Sequence, residues 1–269
     1  MIEIAEYRNY LIDNEIALQT RKNYLNTLKQ LSCFLKDNNI ELTKESTIRF
    51  KEWLRETEYS KGRKYKITTI NQKINAINIY FNWRDQRQYG LKTVKTQIKG
   101  HRPSVDTGEY KKLLKAANND DEMRLFMMTI ANTGVRITEL CSLQSDDLDS
   151  KMQQIENKGK IRIISIPVWL KKQLKTFCRT NGITGTIFYK TQSSYRERLK
   201  RIAGKAKVNK EKVYPHSFRH YFAKEFIRNG GDSTELQQML GHENISTTTI
   251  YTKLSNSELA NRFAGIKNK

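Results

Sequence analysis

Apolar residues recur at helical spacing through the first 90 positions of the chain, with polar and basic residues between them. One set shares a single face of a predicted helix and consists of Tyr24, Leu25, Leu28, Leu31 and Leu35. A later set repeats at steps of four, three and four positions and consists of Ile70, Ile74, Ile77 and Phe81. Together the patterns predict four helices before residue 90, packed into a compact bundle.

Beyond residue 105, helical patterns alternate with two short β patterns. Helices are predicted over Tyr110 to Ala117, Met123 to Ala131, Pro167 to Phe177, Ser193 to Lys207 and Ser255 to Ile266. Strands are predicted over Gln153 to Glu156 and Ile161 to Ile166, as a hairpin or a three-stranded meander. The chain is therefore predicted to be mainly α with a small β-sheet. We expect a helical domain over residues 1–90, an aperiodic basic linker over 91–105 and a second domain over 106–269.

The charge balance of the chain favours nucleic acid as its partner. Its 269 residues include 49 Lys and Arg against 28 Asp and Glu, a formal net charge of +21 that is spread along the sequence. No run of eighteen apolar residues could span a membrane, and the acidic start of the chain does not resemble a secretory signal, so we expect a cytoplasmic protein. Cys33, Cys141 and Cys178 form no CxxC pair, which argues against a disulfide framework or a zinc site and predicts core positions.

Three groups of basic residues are candidates for DNA contacts. The turn from Ser60 to Lys66 is either a solvated loop or a loop that grips phosphates, and it contains Lys61, Arg63 and Lys64. On the polar side of the fourth helix, Lys73 is accompanied by three asparagines that could pair with adenine, Asn71, Asn75 and Asn78. The helix from Ser193 to Lys207 is predicted to meet the DNA backbone through Arg196, Arg198 and Arg201.

Candidate chemistry lies between His216 and Tyr251. Pro215 is predicted to open a helix, so that His216 and Arg219 share one face and can reach one small anion. The guanidinium is a fork suited to phosphate, and His216 and His242 can donate a hydrogen bond or carry a proton near neutral pH. Tyr251 would need neighbours that stabilise its phenolate before it could attack phosphorus. A surface His and Arg pair is the alternative interpretation of the helix motif alone.

A second candidate phosphate clamp follows Gly134, where the backbone can turn sharply. Arg136 stands at the start of a predicted helix, one turn from Glu139, and an exposed Arg–Glu pair is the alternative. On the predicted hairpin, Lys158 or Lys160 could protonate a leaving 5′ oxygen, or could serve solubility only.

The order of these motifs resembles that of tyrosine recombinases of the phage-integrase and Xer type. The motifs are TGVRITEL at residues 133–140, a hairpin lysine, HSFRH at 216–220, LGH at 240–242 and Tyr251. The resemblance covers nearly the whole chain, although the amino-terminal half matches only in helical pattern and charge. It implies a helical core-binding (SAM-like) domain and an α+β catalytic domain that together form a C-shaped clamp on DNA.

The resemblance also implies a role for each site residue. Tyr251 would be the nucleophile that forms a 3′-phosphotyrosine, and Arg136 and Arg219 would bind the scissile phosphate. Lys158 would protonate the 5′ oxygen, and it is preferred to Lys160 because it precedes Gly159. His216 would transfer protons and contact the phosphate, and His242 would donate to a nonbridging oxygen. Glu139 matches a supporting acidic position, and His220 is expected to be a buried structural histidine.

The implied reaction is site-specific recombination through a transient 3′-phosphotyrosine link and a Holliday junction. It would need no cofactor and no metal, because two arginines supply the charge stabilisation. The resemblance implies a homotetramer on paired DNA sites, a monomer or dimer when free, with the tail from Ser255 donated to a neighbouring protomer. The use would be integration or excision of a mobile element, or dimer resolution. A type IB topoisomerase and a non-catalytic DNA-binding protein are the alternatives.

Overall fold

Helices form most of the described chain, which in the computed structural model comprises residues 2–95, 103–150, 153–157 and 160–241. The chain divides near residue 100 into two units, each with its own hydrophobic core. The predicted fold class, mainly α with a small sheet, is confirmed. The domain bounds at residues 90 and 106 stay predictions.

The first unit contains the four predicted helices. They are α1 (Ile4–Asp13), α2 (Leu18–Asp37), α3 (Lys44–Glu56) and α4 (Ile67–Trp83). The predicted stripes face inward: buried on α2 and α4 are Leu28, Leu31, Leu35, Ile70, Ile74, Ile77 and Phe81. The Tyr7 ring of α1 packs 5.1 Å from the rings of both Tyr80 and Trp83, so aromatic contacts fix α1 on the end of α4.

A short antiparallel hairpin joins α3 to α4, where the sequence predicted only a turn. Its strands are β1 (Glu58–Ser60) and β2 (Arg63–Lys64). Gly62 adopts a φ of +70°, and its N–H donates to the Glu58 carboxylate at 2.8 Å. The turn is therefore closed from within the hairpin, which leaves its basic side chains exposed.

The start of the predicted linker packs on the first unit through two asparagines of α4. The Asn78 amide donates to the Leu91 carbonyl at 2.8 Å and accepts from the Leu91 N–H at 2.7 Å. Asn71 does the same for Val94, at 3.0 and 2.8 Å. The prediction that Asn71 and Asn78 meet base edges is wrong, because the donor and acceptor that would pair with adenine are bound to the protein's own backbone.

The second unit is organised around α6, which is buried along nearly its whole length. The elements in chain order are α5 (Thr107–Ala116), α6 (Asp121–Thr133), α7 (Ile137–Leu140), β3 (Gln153–Asn157), β4 (Lys160–Ile164), α8 (Val168–Thr180), α9 (Gln192–Lys205), α10 (Pro215–Arg228) and α11 (Ser233–Leu240). The strands β3 and β4 pair antiparallel as a hairpin, so the alternative of a three-stranded meander is not found in the described residues.

Helix α10 packs along α6, and α11 packs on α10 through a small apolar cluster. The cluster consists of Phe222, Ala223, Leu236 and Leu240. Pro215 occupies the first helical position of α10, as predicted, because that position needs no backbone N–H donor. This packing brings the carboxyl ends of α6 and α11 to the first turn of α10.

Two further sequence expectations concern the cysteines and membranes. Cys178 is buried and Cys141 is half-buried, but Cys33 is exposed, so its predicted core position is wrong. Cys33 is displaced from the inward stripe of α2 formed by Leu28, Leu31 and Leu35. Among the described helices, none has the length and apolar content needed to cross a membrane.

Candidate active site

The site begins at Gly134, the turn that ends α6. Gly134 has a φ of +65°, and a Cβ there would lie 2.6 Å from both Leu240 and Phe222 side-chain atoms. Only glycine satisfies both the left-handed backbone and this close approach. The turn therefore lets the end of α6 contact α10 and α11 while it directs Val135 and Arg136 toward α7.

Arg136 is held by a fully buried carboxylate. Glu139 on α7 accepts from Arg136 Nη1 at 2.8 Å and from the Arg136 backbone N–H at 2.7 Å, and its own side chain is 0% exposed. Arg136 Nη2 donates to the Gly241 carbonyl at 3.2 Å. The Arg136 side chain remains 33% exposed, so it presents charge to solvent in one fixed orientation. The exposed-pair alternative does not fit, because Glu139 is inside the protein.

Arg219 lies inside the protein, with only 1% of the residue exposed. Its Nη1 donates to the Gly134 carbonyl and its Nη2 to the Leu240 carbonyl at 2.6 Å. The predicted direct phosphate contact is therefore not formed in this arrangement, because the guanidinium faces two carbonyls. Arg219 connects the end of α6 to the end of α11 and adds positive charge under the site.

His216 stands in the first turn of α10 and remains exposed. Desolvation by the surrounding protein, together with the charges of Arg219 and Arg136, lowers the pKa of His216 below its usual 6.5. The imidazole is therefore neutral at pH 7 and able to accept a proton. The His220 ring meets it edge to face, with the centroids 4.8 Å apart, and His220 is half-buried rather than fully buried as expected.

A recess of about 510 Å³ opens beside Arg136 and His216. Its wall is formed by α7, α9 and the start of α10. Arg196 and Lys200 on α9 face it together with the two predicted residues. Three cationic side chains and the neutral His216 imidazole thus converge on one cavity, which favours an anionic ligand.

Three of the predicted site residues, Lys158, His242 and Tyr251, lie outside the described residues. Asn157 pairs with Lys160 in the hairpin ladder, so two residues join β3 to β4. His242 directly follows Gly241, whose carbonyl contacts Arg136.

The predicted DNA-binding residues fall into two classes, those exposed to solvent and those engaged within the protein. Lys61, Arg63 and Lys64 are exposed on the hairpin of the first unit, and Arg196 and Arg201 are exposed on α9.

Lys73 and Arg198 are instead engaged within the protein. Lys73 donates to Gln30 and lies 5.0 Å from the centre of the Tyr65 ring, and burial lowers its pKa. The Arg198 guanidinium binds Asp120 through Nη2, at 2.7 and 2.9 Å, and Glu122 through Nη1 at 2.5 Å. Two carboxylates therefore occupy the Arg198 guanidinium, which does not face DNA as predicted, whereas the DNA contact of the half-buried Lys73 stays a prediction.

Sequence reasoning missed the carboxylates that hold α9 in place. Glu122 also accepts from Lys190 Nζ and from the Tyr195 hydroxyl, each at 2.6 Å. Burial alone would raise the pKa of Glu122, but donors from Lys190, Tyr195 and Arg198 lower it overall. The only sequence signal was an acidic first turn of α6, which is common at helix starts.

Comparison with known proteins identifies the family. The model of the phage integrase family matches residues 103–258, more than half of the chain. The chain belongs to the phage integrase family. The family's N-terminal SAM-like domain matches residues 4–88. This family member is a tyrosine recombinase, an enzyme that exchanges DNA strands through a tyrosine nucleophile, and the topoisomerase and non-catalytic alternatives are not favoured.

Several relatives of this family member are similar along most of its length. The tyrosine recombinase XerA of Thermococcus onnurineus is 28% identical, with 86% of this chain and 85% of the relative covered. A crystal structure of XerA recombinase is 27% identical, with 99% and 98% covered and a TM-score of 0.54. A lambda integrase dimer bound to a COC′ core site shares the fold at a TM-score of 0.73, with 17% identity and 91% and 92% covered.

Proposed function

We propose that the recess beside Arg136 and His216 holds the scissile phosphodiester of a DNA strand and that Tyr251 attacks it. The observation that carries this proposal is that the buried Glu139 fixes Arg136 at the edge of a recess. The described lining residues of this recess include three cationic side chains and no acidic one. A rigid, permanently charged donor at a solvent-accessible recess is suited to a phosphate whose charge grows during reaction.

In the proposed cleavage step, the Tyr251 oxygen bonds to phosphorus and the bond from phosphorus to the 5′ oxygen breaks. His216, neutral at pH 7 because its pKa is lowered, accepts the phenolic proton. Lys158 donates a proton to the departing 5′ oxygen. Arg136 stabilises the phosphoryl oxygens together with His242.

Arg219 contributes its positive charge from beneath the phosphate. A direct contact would require the Gly134 and Leu240 carbonyls to shift. The reaction then reverses with a different strand, because the 3′-phosphotyrosine preserves the phosphodiester energy and a 5′ hydroxyl can attack it. Two such exchanges would produce and resolve a Holliday junction.

The partner in this proposal is double-stranded DNA, which both units contact. Solved structures that share this fold include XerH bound to its difH substrate and lambda integrase bound to a core site, which supports DNA as the partner. We propose that four copies act on paired sites in the cytoplasm, with the segment from Ser255 donated between copies. The biological role of this recombination is integration or excision of a mobile element, or resolution of replicon dimers.

The function is tested on a plasmid that carries two copies of a binding site selected from random duplex DNA. We expect the wild type to delete or invert the DNA between the copies and Tyr251→Phe to do neither. Relaxation of a supercoiled plasmid without these sites, in the absence of deletion or inversion, would instead indicate a topoisomerase.

The assembly is tested with a chain truncated before Ser255. We expect it to bind one site but to lose pairing of two sites, as measured by native gels and cross-linking. Intact pairing and recombination by the truncated chain would overturn the proposed exchange of this segment.

A further inference from the structure

Helix α9 presents a line of polar side chains to the recess. Gln192, Arg196 and Lys200 stand four residues apart and all three line the cavity. At about 1.5 Å of rise per residue, the line extends roughly 12 Å away from the start of the helix. The recess therefore has an extended basic wall in addition to the pair formed by Arg136 and His216.

Arg196 is exposed on this wall, and one hydrogen bond orients it. Its Nη2 donates to the Gln192 amide oxygen at 3.1 Å, which directs the guanidinium along the helix. Burial raises the pKa of the Cys141 thiol to about 11, and the charge of Arg196 opposes that rise. Since Cys141 directly follows α7, the Arg196 charge lies close to the helix that orients Arg136.

Lys200 is held at the far end of the wall. Its ammonium donates to the Lys210 carbonyl at 2.5 Å and lies 3.7 Å from a Glu211 carboxylate oxygen. An ammonium has three N–H donors, so these contacts leave it able to bind an anion that enters the recess.

The opposite face of α9 is anchored to α6. Residues two positions apart on a helix point in nearly opposite directions, so Arg198 faces away from Arg196 and Lys200. Arg198 binds Asp120 and Glu122, and the Tyr195 hydroxyl binds Glu122. These partly buried contacts fix the height and rotation of α9, so the basic wall is set before any ligand binds.

One phosphate does not fill such a recess. A water molecule takes about 30 Å³ of liquid volume, so a cavity of about 510 Å³ equals roughly seventeen waters. A DNA strand carries a phosphate for about every 3.4 Å of helix axis, so the neighbours of a phosphate at Arg136 lie within reach of the wall. We propose that Arg196 and Lys200 bind a backbone phosphate adjacent to the scissile one. The proposal rests on the proposed function, because it assumes that the scissile phosphate lies at Arg136.

The test combines protein variants with neutral phosphates. Nicked duplexes carry a single methylphosphonate, which has no charge, at one phosphate on either side of the cleavage point, and single-turnover cleavage and affinity are measured. We expect Lys200→Gln and Arg196→Gln each to weaken binding of unmodified DNA about tenfold. On the duplex that lacks the relevant charge, the wild type should lose at least a similar factor, and each variant should lose less than the wild type because it has already lost one of the two contacts.

Lys205→Gln is the matched control, because Lys205 is exposed on the same helix and does not line the recess. It should behave as the wild type on every duplex. Lys200→Arg, which keeps the charge, should restore most of the affinity. Arg196 is exposed, so Arg196→Gln remains informative if Lys200→Gln unfolds.

The proposal is overturned if the two Gln variants bind unmodified DNA as the wild type does. It is also overturned if, at every methylphosphonate position, the variants lose as much affinity as the wild type loses, because the two changes would then act independently. Failure of the proposed function would look different, because the wild type would then form no covalent adduct with any duplex.

Discussion

Two basic regions of this recombinase hold their cations in opposite ways. Lys61, Arg63 and Lys64 stand exposed on the hairpin of the first unit, and within the described chain no hydrogen bond or ion pair is recorded for their side chains. In the second unit, Arg136 and Arg219 are fixed by a buried carboxylate and by backbone carbonyls. The hairpin cations are adaptable, and these two arginines of the second unit are preorganised.

This difference between adaptable and preorganised cations suits the first group to DNA binding and the second to catalysis. An adaptable cation can follow any phosphate along a backbone, and its contribution to affinity falls with added salt. A preorganised cation stabilises charge that develops at one point, and its effect on rate is larger because no reorganisation accompanies the reaction. We therefore expect changes at the hairpin to alter affinity and changes at the arginines to alter rate.

The largest effect is expected from Arg136→Ala. Loss of a preorganised donor should slow single-turnover cleavage on the order of 100-fold at saturating DNA, with affinity changed much less. Arg136→Lys should recover only part of the rate, because an ammonium cannot contact both Glu139 and a phosphate as a planar fork does. Cleavage by Arg136→Ala at close to the wild-type rate would show that the rigid arginine is not part of the chemistry.

A smaller effect is expected from Gly134→Ala, which disturbs the turn beneath both arginines. The new Cβ would lie 2.6 Å from atoms of Leu240 and Phe222, and the alanine would have to adopt an unfavourable φ. We therefore expect a loss of about 2 kcal/mol in the free energy of unfolding.

Gly182→Ala is the matched control, because Gly182 has a φ of +62° with nothing within 4 Å of a Cβ. It should lose only about 1 kcal/mol through backbone strain. Chemical denaturation measures both variants. An equal cost at the two positions would mean that close packing at Gly134 is not needed.

A third test changes Lys61, Arg63 and Lys64 together to Gln. The slope of log affinity against log salt should fall by about three, since each phosphate contact contributes about 0.9, and cleavage at saturating DNA should be unchanged. A matched triple change on α5, at the exposed Lys111, Lys112 and Lys115, should leave the slope as it is. A hairpin variant with the wild-type slope would place these cations away from the DNA.

The smallest effect concerns the protonation of His216. Its pKa lies below the usual 6.5, so the unfolded chain binds this proton more readily, and the contribution of His216 to stability is lost as pH falls below 6.5. Removing one lowering charge with Arg136→Ala should raise the pKa toward its usual value. Nuclear magnetic resonance titration of the ring protons measures the shift. An unchanged pKa would mean that Arg136 does not act on the imidazole.

The sequence could predict features that depend on local patterns. The apolar stripes of α2 and α4, the start of α10 at Pro215 and the position of Arg136 at the start of α7 were all predictable. These features need only helical spacing, a proline without an N–H and a glycine turn.

The partners of polar side chains could not be predicted in the same way. The amides of Asn71 and Asn78 and the guanidinium of Arg198 are groups that can bind DNA. In this protein they instead form hydrogen bonds with residues distant in the sequence. A guanidinium next to Asp120 and Glu122 is distinguishable from one facing solvent only when the packing of α9 on α6 is known. The burial of Arg219 beneath the recess was hidden for the same reason.

The most direct measurement tests the nucleophile. A nicked duplex that contains the selected binding site is incubated in EDTA with the wild type or with Tyr251→Phe, and the products are separated on a denaturing gel. We expect a covalent adduct from the wild type alone, with a peptide containing Tyr251 joined to a 3′ phosphate. An adduct of equal yield from Tyr251→Phe, or one mapped to another residue, would contradict tyrosine cleavage at this recess.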